Sequence, residues 1–154
     1  MDNKTLFYQD LLGQSKALIA NETDVIANMA NVSALLFQQL SDISWVGFYR
    51  LVDAELVLGP FQGKVACIRI PLGKGVCGVC AATGKIQRIA NVHEFDGHIA
   101  CDAMSNSELV IPIKKAGKVI AVLDIDSRAF ARFERQDEQG ISAIVNAFEK
   151  TLVI

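Results

Sequence analysis

The first forty residues carry apolar side chains at helical intervals. Phe7, Leu11 and Leu18 mark one stripe, and Val25, Met29, Val32 and Leu36 mark a second. Recurrence every three or four residues gathers side chains on one helix face, so two helices are expected. Asn21-Glu22-Thr23-Asp24 between them offers an N-cap and an acidic first turn to the second. The period then shortens. Strand signals run over Trp45 to Val52, Glu55 to Leu58 and Lys64 to Ile70, with Asp53-Ala54 short enough for a hairpin turn. Gly73-Lys74-Gly75 breaks this pattern, and Val76 to Thr83 reads as a short helix stopped by Gly84.

Ile86 to Ala90 predicts a brief strand, followed by a long polar loop from Asn91 to Ser107. Loops of that length in a compact domain are usually functional or mobile. Glu108 to Ile113 and Lys118 to Asp126 read as two strands joined through Ala116-Gly117. Ile141, Ile144, Val145, Phe148 and Leu152 form a closing helical stripe. Hairpin-length connections dominate, so the expected class is α+β with a mainly antiparallel sheet.

Composition narrows the function classes. The chain has 154 residues, 51% hydrophobic and 21% charged, which suits one well-cored domain rather than disorder. The formal net charge is -2 and no Lys/Arg block stands out, which argues against a nucleic-acid partner. No apolar run approaches the ~20 residues of a membrane span. The polar start Met1-Asp2-Asn3-Lys4 lacks a signal-peptide core, so a cytoplasmic protein is expected. In a reducing compartment the four cysteines point to redox or metal chemistry rather than structural bridges.

Cys67 falls in a predicted strand. Cys77 and Cys80 form a C-G-V-C at the start of the short helix, where the helix dipole favours thiolate. A thioredoxin-type site fits poorly, because no βαβ pattern precedes the pair. Four cysteines could close a zinc tetrahedron in a binding module, yet only one pair is close-spaced. Cys101 stands apart: it sits in the polar loop beside Asp102, where a reactive thiol is reachable. His93 and His98 in that loop read as hydrogen-bonding residues rather than ligands.

Strand alternation puts Asp124 and Asp126 on one face of Val119–Asp126, with Glu108 at the start of the preceding strand. Carboxylates this close raise one another's pKa, so one can stay protonated and serve as an acid. The same alternation puts Trp45, Gly47 and Tyr49 on one face, with Gly47 as a notch between two rings that suits a small apolar or cationic group.

Six stretches, in this order and spacing, resemble one family: S-W-V-G-F-Y (44–49), G-P-F-Q-G-K-V-A-C (59–67), G-K-G-V-C-G (73–78), G-H-I-A-C-D (97–102), S-E-L-V-I-P-I (107–113) and V-L-D-I-D-S (122–127). They are similar to the free methionine-(R)-sulfoxide reductases, enzymes built on a single GAF domain. The resemblance covers nearly the whole chain and implies one GAF domain over residues 1–154. The implied fold is a six-stranded, mainly antiparallel sheet flanked by N- and C-terminal helices.

The activity implied is thiol-dependent reduction of free methionine-(R)-sulfoxide, with no metal or bound cofactor and with thioredoxin as reductant. A homodimer is implied as well. On that resemblance Cys101 is the nucleophile and Cys67 the resolving thiol, with Cys77 a competing candidate for the second role. Trp45, Tyr49, Glu108, Asp124 and Asp126 form the substrate pocket, and Glu108 and Asp126 join the catalytic set. Which carboxyl donates the proton stays open, and so does a local Cys77–Cys80 disulfide. Acidic side chains suit the substrate ammonium, and backbone N–H groups at Gly75-Val76 suit its carboxylate. The alternative is a non-enzymatic GAF small-molecule sensor, which needs the pocket but not the thiols.

Overall fold

The computed structural model describes residues 2–99 and 101–153. Two helices open the chain, α1 (Asn3–Ile19) and α2 (Val25–Gln39). Asp2 caps α1 by accepting from the Thr5 N–H, and Asp24 caps α2 by accepting from Ala27. The buried face of α1 is Tyr8, Leu11, Ser15 and Ile19. Only Leu11 of the expected stripe belongs to it, because Phe7 and Leu18 lie one helical step away and are exposed.

The strands are β1 (Trp45–Val52), β2 (Glu55–Gly63), β3 (Arg69–Pro71), β4 (Gln87–Ile89), β5 (Ser107–Lys115) and β6 (Lys118–Ser127). They form one six-stranded sheet in the order β3-β2-β1-β6-β5-β4, and every neighbouring pair is antiparallel. The turns between β1 and β2 and between β5 and β6 take positive φ at both central residues, Asp53-Ala54 and Ala116-Gly117. That is the mirror-image turn whose twist matches paired strands. Helix α3 (Gly75–Thr83) ends at Gly84 in the left-handed conformation, and α4 (Arg135–Glu149) closes the fold.

The predicted strand over Lys64 to Ile70 is largely absent. Pairing of β3 with β2 runs only through Glu55↔Pro71, Leu56↔Ile70 and Val57↔Arg69, with one further bond from the Leu58 N–H to the Ile68 carbonyl. Two residues further along β2, Pro60 has no N–H to extend the ladder. Residues 64–68 therefore leave the sheet, Val65 is 91% exposed, and Cys67 sits in an irregular segment rather than a strand.

The two faces of the sheet bury different things. Val46, Phe48, Leu109, Ile111, Leu123 and Ile125 pack under α1, α2 and α4 as the main core. The opposite face presents Trp45, Tyr49, Val110 and Val122 to α3, with Val76, Cys77 and Cys80 against them. Among the described residues one short helix, α3, covers this second face, and the remaining space is the candidate site.

Candidate active site

Antiparallel pairing brings the carboxylates together. Asp126 lies opposite both Trp45 on β1 and Glu108 on β5, while Asp124 lies opposite Gly47 and Val110. All these residues share the α3 side of the sheet. Above them the N-terminus of α3 brings Lys74, Gly75, Val76 and Cys77 to the cavity. Lys74 is the N-cap and makes no side-chain capping bond, so the first N–H groups of α3 have no side-chain partner. Gly75 takes φ +64°, and a Cβ there would lie 3.2 Å from Ile99, so glycine admits the loop that closes over the site. That loop contributes His98, Ile99, Cys101, Asp102 and Ser105, and the irregular segment after β2 adds Lys64, Val65 and Ala66. Ala100, within the loop motif, lies outside the described residues.

Cys67 and Cys101 form a disulfide with their Cα atoms 5.6 Å apart. It joins the segment after β2 to the loop before β5, both of which line the cavity. The loop cysteine is exposed and its partner half-buried. Cys77 and Cys80 remain free and buried. Their sulfurs face separate partners: Cys77 Sγ donates to Glu108 Oε2 at 3.8 Å, and Cys80 Sγ donates to the Val110 carbonyl at 3.7 Å. The C-G-V-C pair is not bridged. A four-thiol zinc site does not assemble either, since two of the sulfurs are bonded to each other.

Electrostatics on the floor all run one way. Burial, then the negative charge of Asp124, holds the Glu108 carboxyl well above the usual range. Burial and Asp126 do the same to Asp124, and burial and Glu108 do so to Asp126. Asp124 is 5% exposed and its Oδ1 has no hydrogen-bond partner. A group so placed holds its proton in preference to ionising beside two other acids. The same surroundings, burial first, push the Cys77 thiol far up and Cys80 up to about 12, so neither is a ready thiolate. Cys77, Glu108 and Asp124 also carry three metal-competent donor atoms within 4.8 Å of one another, the set on this floor that could hold a cation.

The aromatic wall differs from expectation in one respect. Trp45 stacks on Phe61 at 5.2 Å and on Tyr49 at 5.9 Å between ring centroids. The space over Gly47 is not an open notch: a Cβ there would lie 2.8 Å from Trp45 Cη2, and Phe61 presses closer still. Glycine serves close packing of β1 on β2, and the rings, not the gap, face the cavity. Both rings also use their polar ends on the segment that carries Cys67. Trp45 Nε1 donates to the Lys64 carbonyl at 3.1 Å, and Tyr49 Oη donates to the Cys67 carbonyl at 2.9 Å.

Comparison with known proteins places the chain. Residues 17–152 match the GAF domain family. The chain is 57% identical over 150 residues to the free methionine-R-sulfoxide reductase of Escherichia coli (strain K12), covering 97% of this chain and 91% of the relative. The chain belongs to the free methionine-R-sulfoxide reductases. The reduced form of fRMsr from Staphylococcus aureus superimposes with a TM-score of 0.93 at 51% identity, covering 95% of each chain. The enzyme of Neisseria meningitidis, solved in complex with its substrate, gives a TM-score of 0.93 at 40% identity over 98% of this chain and 91% of that one.

For a member of this reductase family the sequence-derived set is well gathered. Trp45, Tyr49, Cys77, Cys101, Glu108, Asp124 and Asp126 line one cavity, and Cys67 reaches it through its bond to Cys101. His93 hydrogen-bonds within the loop as expected, its Nε2 meeting Asn106 Oδ1 at 2.8 Å. His98 lines the cavity, its pKa lowered by burial and by His93. Its place three residues before Cys101 is the mark it carries in the sequence. Lys64, Lys74 and Ser105 also line the cavity. The two lysines lie within the stretches 59–67 and 73–78, where the cysteines and glycines drew the chemical reading, and Ser105 lies in none of the six stretches.

Proposed function

We propose that this protein reduces free L-methionine-(R)-sulfoxide to methionine, with Cys101 as nucleophile and Cys67 as resolving thiol. The observation that carries the reading is the Cys67–Cys101 disulfide at the edge of a cavity floored by three carboxyls with raised pKa. Sulfoxide oxygen leaves sulfur readily only when protonated. A carboxyl that keeps its proton at neutral pH supplies it as the Cys101 thiolate attacks the sulfoxide sulfur. The oxygen ends on Cys101 as a sulfenic acid, and methionine leaves. The Cys67 thiol then attacks the sulfenic sulfur, forming the disulfide and releasing water. A dithiol reductant returns both thiols by exchange, so the balance is sulfoxide plus dithiol giving methionine, disulfide and water.

Binding follows from the same surfaces. An ionised acid of the Glu108–Asp124–Asp126 group holds the substrate ammonium. The rings of Trp45 and Tyr49 hold the methyl, and the uncapped N-terminus of α3 at Gly75-Val76 receives the carboxylate. Cys77 serves as an auxiliary group through its bond to Glu108, because a thiol with so high a pKa resolves a sulfenic acid poorly. The family resemblance extends the proposal to a single GAF domain acting as a cytoplasmic homodimer with thioredoxin as donor.

The test follows NADPH loss with thioredoxin and thioredoxin reductase. Rapid loss is expected with free methionine-(R)-sulfoxide, and little with the S epimer or with an N-acetylated, amidated R-sulfoxide. A neutral amide in place of the ammonium leaves a buried carboxylate without its cation, which costs several kcal/mol. Comparable rates on the blocked compound would rule out this pocket assignment, and no loss with the free R-sulfoxide would rule out the activity.

A further inference from the structure

Residues 64–68 carry Cys67 outside the sheet, with Val65 91% and Ile68 67% exposed. Among the described residues three hydrogen bonds fix this segment. The Ile68 carbonyl accepts from the Leu58 N–H at 2.8 Å, the last rung of the β2–β3 ladder. The Lys64 carbonyl accepts from Trp45 Nε1 at 3.1 Å, and the Cys67 carbonyl accepts from Tyr49 Oη at 2.9 Å. The last bond acts on the cysteine residue itself. Tyr49 is on β1, buried, stacked on Trp45 and paired with Val122, so its hydroxyl is a fixed point of the sheet.

We propose that the Tyr49 hydroxyl is a positioning group for the resolving thiol: it holds the Cys67 backbone at the distance from which Cys67 closes on oxidised Cys101. The proposal rests on the resolving role given to Cys67 above. The step it serves is attack of Cys67 sulfur on the sulfenic sulfur of Cys101, which forms the S–S bond while the hydroxyl leaves as water with the Cys67 proton. Condensation of two groups on separate loops depends on how often they meet in the right geometry. Val65 and Ala66 precede Cys67 with no ladder to fix them, so losing the Tyr49 bond frees the segment between its two end anchors. The hydroxyl is a dependable donor, since burial above all keeps its proton on.

The experiment uses hydrogen peroxide to make the sulfenic acid on Cys101, so it needs no sulfoxide turnover. Peroxide oxidises the thiolate by two electrons, leaving one oxygen on sulfur and releasing hydroxide. Dimedone then competes with Cys67 for the sulfenic acid, and mass spectrometry counts adduct against disulfide. Tyr49→Phe keeps the ring and removes the hydroxyl. It should raise the adduct-to-disulfide ratio about tenfold, in line with one lost hydrogen bond. Cys67→Ser, with and without Tyr49→Phe, reports access of dimedone alone and should trap at the same rate in both. An unchanged ratio in Tyr49→Phe overturns the proposal. So does faster trapping in the double variant, which would mean a loosened site rather than a misplaced thiol. If wild type closes a Cys67–Cys101 bond after peroxide yet reduces no sulfoxide, the activity reading falls and the ratio still decides the role of Tyr49.

Discussion

Cys101 and Cys67 hold one bond between them but different places in the reaction order. Cys101→Ser removes the proposed nucleophile from an exposed loop, so the fold should survive and methionine formation should stop. A single-turnover assay retaining a tenth of the wild-type rate would contradict that role. Cys67→Ser should form methionine once per chain, then stall with a sulfenic acid on Cys101, visible as a dimedone adduct. Cys77 makes a different prediction. Burial and Asp124 raise the Glu108 pKa, and the Cys77 hydrogen bond opposes them. Removing that donor in Cys77→Ala should leave the Cys67–Cys101 bond and repeated turnover intact. It should also move the alkaline limb of the pH–rate profile upward, because Glu108 then keeps its proton to higher pH. A profile that does not move would show that Glu108 is not the acid whose ionisation sets that limb.

The strands that build the site were largely legible from alternation. Trp45–Val52 has the predicted bounds, and the shared face of Asp124 and Asp126 follows from period two alone. What alternation could not carry was the course of residues 64–68. Val65, Cys67 and Ile70 read as strand, but the missing N–H of Pro60 ends the ladder and sends the segment over the cavity. Nor could it tell an open notch from close packing at Gly47, since that depends on which ring of a neighbouring strand arrives there. Phe61 of β2 and the Trp45 indole fill that space. Gly47→Ala should therefore force β1 and β2 apart and cost about 1–3 kcal/mol, with Trp45 displaced. Gly13 in α1 is the internal contrast: nothing lies within 4 Å of a Cβ there. Gly13→Ala should stabilise by about 0.5–1 kcal/mol through helix propensity. Thermal melts of the two variants should move in opposite directions, and a neutral Gly47→Ala would mean the rings yield freely.

Two groups of acids set the stability of the whole chain with opposite signs. Asp137 bonds to Tyr8 at 2.6 Å and Lys4 at 2.8 Å, tying α1 to the start of α4. Burial works to raise its pKa, but the bonds from Lys4 and Tyr8 outweigh it and the pKa is lowered. Its stabilisation is present above the ordinary carboxylate range of about 4 and is lost as pH falls through the folded value. Glu108, Asp124 and Asp126 behave in reverse, with pKa values raised by burial and by one another. Below about pH 4 both folded and unfolded chains hold these protons, and nothing is lost. As pH rises towards the folded values, the unfolded chain releases protons first, so unfolding gains and stability declines. The melting temperature should then peak on the acidic side of neutrality and fall towards pH 8. Asp124→Asn removes one ionisation from the floor and supplies an amide donor to its neighbours. It should raise the melting temperature at pH 8 more than at pH 5, by about 2–4 °C for each kcal/mol recovered, while reducing sulfoxide turnover. Protons kept on a buried acid group are what the reaction uses, so stability is given up where the chemistry is done. Equal melting shifts at pH 5 and pH 8 would show that ionisation of the floor is not what weakens the fold at high pH.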